Sequence, residues 1–523
     1  MILRKSFSIK YCLLLFSSFI IGCTGKKVNN EAEKPNILLI LADDLGYSDI
    51  GCYGSEISTP NLDSLAQKGI RFQQAYNHGV SFPSRAALLT GAYAHQVGMI
   101  NGPREIVGAV TLGQLLKMAD YRTLWAGKHH GTQNPTDLGF DRYYGLRDGC
   151  CNYFNPGDQR PGEGLPARKA SAYPRKWIMD GKLYTPYTPE SPDFYTTDYF
   201  ANNALKWLEE FKNEDKPLFL YLAFTSPHDP LMAWPEDIKK HLGKYMKGYE
   251  EVRNARFMKQ KSNGLLGDNY QLSSATHRKW ESLSVSEKMT EDSTMAVYAA
   301  MIERMDMNIG RILQKLKELG KDQNTLIMFA SDNGGAHQVV SMKDSGPIGS
   351  ITRWKSLGPD WANVANTPLR YSKVYSHEGG IRTPLIAYWP GRIVKEGRTC
   401  ETPVHFIDLM PTIAEIAGVT YPEVFNDETV VPLQGVSIVP LFKNQKISRK
   451  NPLFWQLERG KALRQDEWKI VTWNHDDPSS DDWELYNMNV DPVEMNDLSK
   501  SEKEILEKLV DKHNKWLLEV SKQ

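Results

Sequence analysis

Ser81-Phe82-Pro83-Ser84-Arg85 puts a hydroxyl and a guanidinium in one turn, and the chain then runs through Ala86-Ala87-Leu88-Leu89 to Thr90-Gly91. Pro83 suits the first turn of a helix, where its fixed φ is already helical and its missing N–H has no partner to lose. The free N–H groups and dipole of such a turn favour negative charge, so an oxyanion would be held beside Ser81. On these residues alone an ordinary Ser-capped helix is an equally good reading. Two further groups carry oxygen donors, Asp43-Asp44 and Asp332-Asn333-Gly334. Three carboxylates and an amide oxygen brought together repel strongly unless a cation sits among them. Hard oxygen ligands suit Ca²⁺ or Mg²⁺ rather than zinc.

Elements that could gather these residues are visible in the apolar pattern. Asn36 to Ala42 is a continuous apolar run ending in Asp43-Asp44. Leu218 to Phe224 ends before Thr225-Ser226-Pro227-His228, Thr325 to Ala330 ends in Ser331-Asp332-Asn333, and Pro384 to Trp389 is a fourth run. Runs apolar on both faces read as central strands of a covered sheet. Helical patterns lie between them, from Asp198 to Phe211 and from Glu291 to Leu319, the second stopping at Gly320 as a terminating glycine should. Strands alternating with helices predict a doubly wound α/β sheet. Ligands of open α/β sheets bind at the carboxyl ends of strands, so Asp43, Asp44, His228, Asp332 and Asn333 are expected to converge.

Two long stretches interrupt the alternation. Phe140 to Thr197 is rich in Tyr, Pro and Gly, and Pro235 to Glu291 is polar and lysine-rich. Loops of such length in a compact domain are functional or disordered, and they are read here as walls of a substrate pocket. Beyond Gly435 come short segments such as Leu453 to Gln456 and Trp468 to Val471, then an amphipathic helix from about Ser501 to Val520. The expected division is a catalytic domain over 36–435 and a smaller α+β subdomain over 436–523.

The 63 basic and 63 acidic residues of the 523-residue chain cancel, so no global field points to nucleic acid, and any anion preference must be local. Arg4, Lys5 and Lys10 precede an apolar run from Tyr11 to Ile21. That is the basic region and short apolar region of a secretory signal, too short for a membrane span. Ile20-Ile21-Gly22-Cys23 resembles a bacterial lipobox, which predicts a signal over 1–23, a lipid anchor at Cys23 and a tether over 24–35. A cleaved signal with an incidental Cys23 is the alternative. Cys52, Cys150, Cys151 and Cys400 match no metal spacing and are taken as structural.

The Ser81 to Gly91 string resembles the signature of formylglycine-dependent sulfatases of the serine-precursor type, in which Ser81 would be oxidised to 3-oxoalanine (formylglycine). The resemblance extends from about Asn36 into the C-terminal region. It implies an alkaline-phosphatase-like, doubly wound mixed sheet with a smaller C-terminal α+β subdomain. Gly127-Lys128-His129-His130 is similar to the family's Gly-Lys-x-His, Pro227-His228 to its Pro-His, and Lys373 with Glu378-Gly379-Gly380-Ile381-Arg382 to its Lys then Glu-Gly-Gly-x-Arg. The implied catalytic set is Ser81, Arg85, Lys128, His130, His228 and Lys373. The implied Ca²⁺ ligands are Asp43, Asp44, Ser81, Asp332 and Asn333. His129 stands where the family more often has an aromatic residue, so which imidazole points inward is open. His95, His377 and His405 are read as structural.

The resemblance further implies sulfuric ester hydrolysis through a hydrated formylglycine, a radical maturase as partner, and location in the periplasm or at the outer membrane. Sulfated glycan fragments are the expected substrates. Asn366 to Tyr371 resembles arylsulfatase-like members, so aryl sulfates are candidates too. A phosphatase or phosphonate monoester hydrolase on the same scaffold, and a non-catalytic lipoprotein that binds sulfated glycans, are the alternatives.

Overall fold

The computed structural model describes residues 33–521 apart from 343, 458–459 and 474–481. The signal, the lipobox Cys23 and most of the tether lie outside the described residues. At the centre is an 11-stranded sheet in the order β10-β2-β9-β8-β1-β7-β3-β4-β5-β6, with β11 also pairing β2. Its strands are β1 (Asn36–Asp43), β2 (Ile70–Tyr76), β3 (Arg122–Gly127), β4 (Arg142–Leu146), β5 (Trp177–Met179), β6 (Lys182–Tyr184), β7 (Leu218–Pro227), β8 (Thr325–Ser331), β9 (Arg382–Tyr388), β10 (Arg398–Cys400) and β11 (Val404–His405). The run β8-β1-β7-β3-β4 is parallel, and β9 is antiparallel to both β8 and β2. The sheet is therefore mixed, as expected.

All eight residues of β1 are buried, and its alternation decides which side each serves. Ile37, Leu39 and Leu41 belong to one apolar cluster with Ala86, Leu88 and Ile413; Leu38, Ile40 and Ala42 belong to another with Leu62, Phe200 and Met301. Side chains that alternate across a pleat need cover on both faces. Helices Ser81–Thr90 and Leu409–Ala417 supply it on one side, and Pro60–Lys68, Thr196–Glu210 and Val285–Glu318 on the other.

The long helix begins at Val285, ahead of the expected Glu291. The Ser284 hydroxyl accepts from the Glu287 N–H and the Glu287 carboxylate accepts from the Ser284 N–H. This capping box adds turns on the polar side of the apolar stripe. The stretch expected as an open loop also holds helices Pro235–Lys239 and Tyr249–Ser262. Both long stretches border one cleft, whose lining includes none of Asp43, Asp44, Ser81, His228 or Lys373. Ile238 and Met289 from the later stretch, and Phe154 and Thr188 from the earlier one, border this cleft of about 1550 Å³.

A small hairpin, β12 (Val424–Phe425) and β13 (Glu428–Thr429), leads to the C-terminal part. There β14 (Leu453–Leu457), β15 (Gly460–Gln465), β16 (Trp468–Trp473) and β17 (Glu484–Asn487) form an antiparallel sheet, with helix Lys503–Val520 against it. Trp516 of that helix stacks on Phe454 at 4.6 Å. This sheet is tied to the main one by buried charge. Lys469 Nζ on β16 lies 2.8 Å from Glu378 Oε1 and 2.6 Å from Glu494 Oε1. The other Glu378 oxygen lies 3.2 Å from Arg382 Nη1 and accepts from the Tyr76 hydroxyl at 3.0 Å. Burial alone would disfavour the Glu378 carboxylate, but Lys469, Arg382 and Arg464 outweigh it and hold its pKa below the usual carboxylate range. Cys52, Cys150, Cys151 and Cys400 are free thiols.

Candidate functional site

Three of the four expected strands deliver their polar ends to one place. β1 breaks register with β7 between Leu41 and Asp43, a bulge that re-aims the side chain at its end. Asp44 follows at φ +62, a left-handed conformation that Asp tolerates better than most residues. The Asp44 N–H donates to Asp332 Oδ1 at 3.3 Å, joining the β1 and β8 ends. Helix Ser81–Thr90 starts at Ser81, with Pro83 in its first turn.

Ser81 is fully buried at the centre. Its Oγ lies 3.0 Å from Asp43 Oδ1 and 3.2 Å from Asn333 Oδ1, and the Lys128 ammonium donates to it at 3.4 Å. Lys128 Nζ also lies 2.6 Å from Asp43 Oδ2, and Arg85 Nε donates to Asp332 Oδ2 at 2.8 Å. Lys373 Nζ bridges both Asp44 oxygens at 2.7 and 2.9 Å. The Asn333 amide donates to Asp44 Oδ1 at 2.7 Å. Among these groups Lys373 and His228 are the more exposed, at 12% and 14% of their side chains. Lys373 and His228 thus mark the more open side of the site.

The charges explain each other. Burial raises the cost of ionising Asp43, yet Lys128, His228 and Arg85 more than offset it and lower its pKa. Burial and the neighbouring Asp43 push Asp332 the other way. Lys373 is held protonated, because Asp44 and Asp43 overcome its burial. Arg85, Lys128 and Lys373 answer the three carboxylates one for one. Asp43, Asp44 and Asp332, with the Asn333 and Ser81 oxygens facing each other at 3.2 Å, form an all-oxygen donor set suited to a hard cation. Ligand atoms of Asp43, Asp44 and His228 also lie within 4.8 Å of one another. A divalent cation there would leave the site net positive, matched to a sulfate.

Lys128 stands where it does because of Gly127. At φ +127, a Cβ there would fall 1.8 Å from the Ala223 carbonyl oxygen on β7. Only glycine lets β3 run that close and then turn. The two histidines that follow part company. His129 packs on Trp125 at 5.0 Å and its Nδ1 accepts from the Gly131 N–H. His130, at φ +63, lies within the field of Lys128, Arg85, Lys373 and His228; burial and those cations push its pKa well below 6.5. Its Nδ1 makes no hydrogen bond. His130 is the inward imidazole. His228 is the opposite case: burial opposes its charge, but Asp44 and Asp43 raise its pKa to about 10. Two imidazoles with pKa values driven apart have the makings of an acid and a base.

His78, His95, His377 and His405 make packing or ion-pair contacts away from Ser81. His377 Nε2 meets Glu484 Oε2 at 3.0 Å, and His95 packs on Trp516. His78 and His405 lie buried edge to face at 5.0 Å. Burial and His95 bring His78 to about 3, burial first among the causes brings His129 to about 3, and His405 falls well below 6.5. The unfolded chain takes up protons at these rings below about pH 6.5, while the folded chain does not at His78 and His129 until near pH 3, and His405 is likewise held neutral well below 6.5. Their contribution to stability is thus lost as pH falls from 6.5. His228 acts oppositely, its contribution being lost as pH rises from 6.5 through about 10. The urea midpoint is expected to drop between pH 7 and pH 5; an unchanged midpoint would mean these rings are not neutral in the fold.

Sequence reasoning missed the surroundings of His228. Asp229 and the Tyr153 hydroxyl contact it, and Trp354 and Ser356 in turn hold the Asp229 carboxylate. Asp229 was visible beside His228 in Ser-Pro-His-Asp-Pro, but its partners on a distant loop left no local signal.

Comparison with known proteins fits this geometry. A family model described as Sulfatase matches residues 35–419. A second, N-sulphoglucosamine sulphohydrolase, C-terminal, matches 370–523. An arylsulfatase of Klebsiella aerogenes is 33% identical over 81% of this chain and 95% of its own. An N-acetylglucosamine-6-O-sulfatase of Bacteroides thetaiotaomicron is 25% identical, covering 95% of this chain and 89% of its own. The crystal structure of Ps i-CgsB in complex with k-i-k-neocarrahexaose superposes with a TM-score of 0.66 at 30% identity, covering 92% of each chain. Since the first model runs through every residue that closes on Ser81, from Asp43 to Lys373, the chain belongs to the sulfatase family of the alkaline-phosphatase-like superfamily and is a sulfuric ester hydrolase.

Proposed function

We propose that the chain removes O-sulfate groups from carbohydrates, with Ser81 matured to formylglycine by a radical maturase. The observation that carries this is the placement of the Ser81 Oγ, 3.0 Å from Asp43 and 3.4 Å from Lys128, at the focus of Arg85, Lys128, Lys373 and two histidines. Formylglycine, hydrated, carries two hydroxyls on one carbon: one can take the sulfuryl group and the other can expel it, which a lone serine hydroxyl cannot do. Lys128 and Lys373 stabilise charge spreading over the sulfuryl oxygens. Arg85 fixes Asp332 and favours the ionised attacking oxygen. His228 donates a proton to the departing alcohol, and neutral His130 accepts one from the second hydroxyl.

Asp43, Asp44, Asp332 and Asn333, beside position 81, would hold Ca²⁺, which supplies Lewis-acid polarisation of sulfate and of the attacking oxygen. Dialysis against a chelator is expected to abolish turnover and lower the melting temperature, with Ca²⁺ restoring both. Full activity with no bound metal by elemental analysis would remove the ion from this scheme.

Support for a carbohydrate comes from the relatives named for N-acetylglucosamine-6-O-sulfate and bound to neocarrahexaose. The 33% identity to an arylsulfatase favours a second reading, broad activity on aryl sulfates. The division at 435/436, the lipid anchor at Cys23, export as a bacterial lipoprotein and location in the periplasm or at the outer membrane belong to the same proposal. The deciding experiment co-expresses the chain with a radical maturase and compares matched aryl sulfate and aryl phosphate esters. Sulfate turnover should dominate, and the Ser81 peptide should be two hydrogens lighter. Equal or faster phosphate turnover would favour a phosphatase or phosphonate monoester hydrolase.

A further inference from the structure

We infer that Asp229 is a positioning residue for His228, and that Trp354 and Ser356 hold Asp229 in that role; the inference rests on the sulfatase reading above. His228 Nδ1 faces two acceptors of the next residue, Asp229 Oδ1 at 3.0 Å and the Asp229 carbonyl oxygen at 2.6 Å. Neither can donate, so Nδ1 carries a hydrogen. Nε2 is then the atom turned to the site, 3.5 Å from Asp44 Oδ2. The second Asp229 oxygen is engaged from elsewhere in the chain. The Ser356 hydroxyl donates to Oδ2, and the Trp354 indole N–H reaches it at 3.4 Å. From the other side the Tyr153 hydroxyl donates to the His228 carbonyl oxygen at 2.9 Å. Ring and carboxylate are thus clamped.

The clamp decides what His228 can do. With Nδ1–H committed to Asp229, the proton available for chemistry is the one on Nε2. As position 81 forms its bond to sulfur, the ester S–O bond breaks and its electron pair passes to the leaving oxygen, which takes the Nε2 proton. The ring is left neutral, with its Nδ1 hydrogen still directed at the carboxylate. An amide in place of Asp229 could turn its NH₂ toward Nδ1, favour the other tautomer and leave Nε2 without a stable orientation.

Asp229→Asn tests this by leaving-group dependence, because a nitrophenolate departs without a proton while a sugar alkoxide needs one. In D229N, kcat for a sugar sulfate should fall by about 10²–10⁴-fold, the usual contribution of a general acid, with KM little changed. Turnover of nitrophenyl sulfate should fall less than about 10-fold. Ser356→Ala should show the same selectivity by a smaller factor, the sugar sulfate losing more than the nitrophenyl sulfate, and it serves as the probe if D229N fails to fold. Equal losses on both substrates, or a change confined to KM, would overturn the inference. A second readout needs no turnover: ¹⁵N spectra of histidine-labelled protein, with His228 assigned by His228→Gln. Read above about pH 10, where the ring is neutral, the hydrogen is expected on Nδ1 in the parent protein, with a shifted tautomer balance in D229N; a neutral parent ring protonated on Nε2 instead would sink the clamp. That measurement stands whichever ester is the substrate, so failure of the clamp is distinct from failure of the sulfatase reading.

Discussion

Ser81→Ala is expected to lose sulfate-ester turnover by on the order of 10⁵–10⁶-fold, the scale seen when a nucleophile acting with its neighbours is removed. The argument is local. Among the described residues the Ser81 hydroxyl is the one that meets Asp43, Asn333 and Lys128 together, and the cations around it can bind a sulfate but cannot attack one. Folding should survive, because Asp43 keeps Lys128 at 2.6 Å and Asp332 keeps Arg85 at 2.8 Å without the hydroxyl. Steady-state rates on nitrophenyl sulfate, set beside a melting curve, check both halves. Residual activity within about 100-fold of the parent would mean that a different group attacks sulfur.

The largest expected loss of stability comes from Lys469→Met. The ammonium is fully buried, and so is the Glu378 carboxylate it meets at 2.8 Å. Removing it leaves Glu378 and Glu494 facing each other across the gap without their shared cation. Breaking one partner out of a buried pair costs about 3–5 kcal/mol, since the remaining charge is stranded. Denaturant unfolding should show that loss in the midpoint. A change below about 1 kcal/mol would place the pair in the class of exposed bridges. Glu378 also begins the short helix Glu378–Ile381 that follows the Lys373 loop, so kcat should fall along with stability.

Much of this site was legible because buried parallel strands leave no polar residue until the chain exits the sheet. Asp43, Asp332 and His228 each follow an apolar run, and the crevice rule places such ends together. Sequence could not choose between His129 and His130. The choice is made by backbone, through Gly127 at φ +127 and His130 at φ +63, and side-chain type carries no trace of it. Asp229 carried no role in the sequence beyond standing next to His228, since its partners Trp354 and Ser356 are brought near only by tertiary folding. The early start of helix Val285–Glu318 was readable in principle, because Ser284 and Glu287 spell a capping box. Apolar periodicity hid it, as the first turns face water.

Lys469 reaching Glu378 has a consequence for how such chains can diverge. The C-terminal strands supply the counter-charge for a stretch that starts within the EGG-x-R segment, so the two regions cannot be exchanged independently among relatives. A recombinant joined near residue 435 would inherit an intact reaction centre resting on a foreign support. It would keep its shape only if the donor also brought a cation for Glu378 and an acid to share it, as Glu494 does here. Inheritance of the two parts as one block is the expected historical pattern.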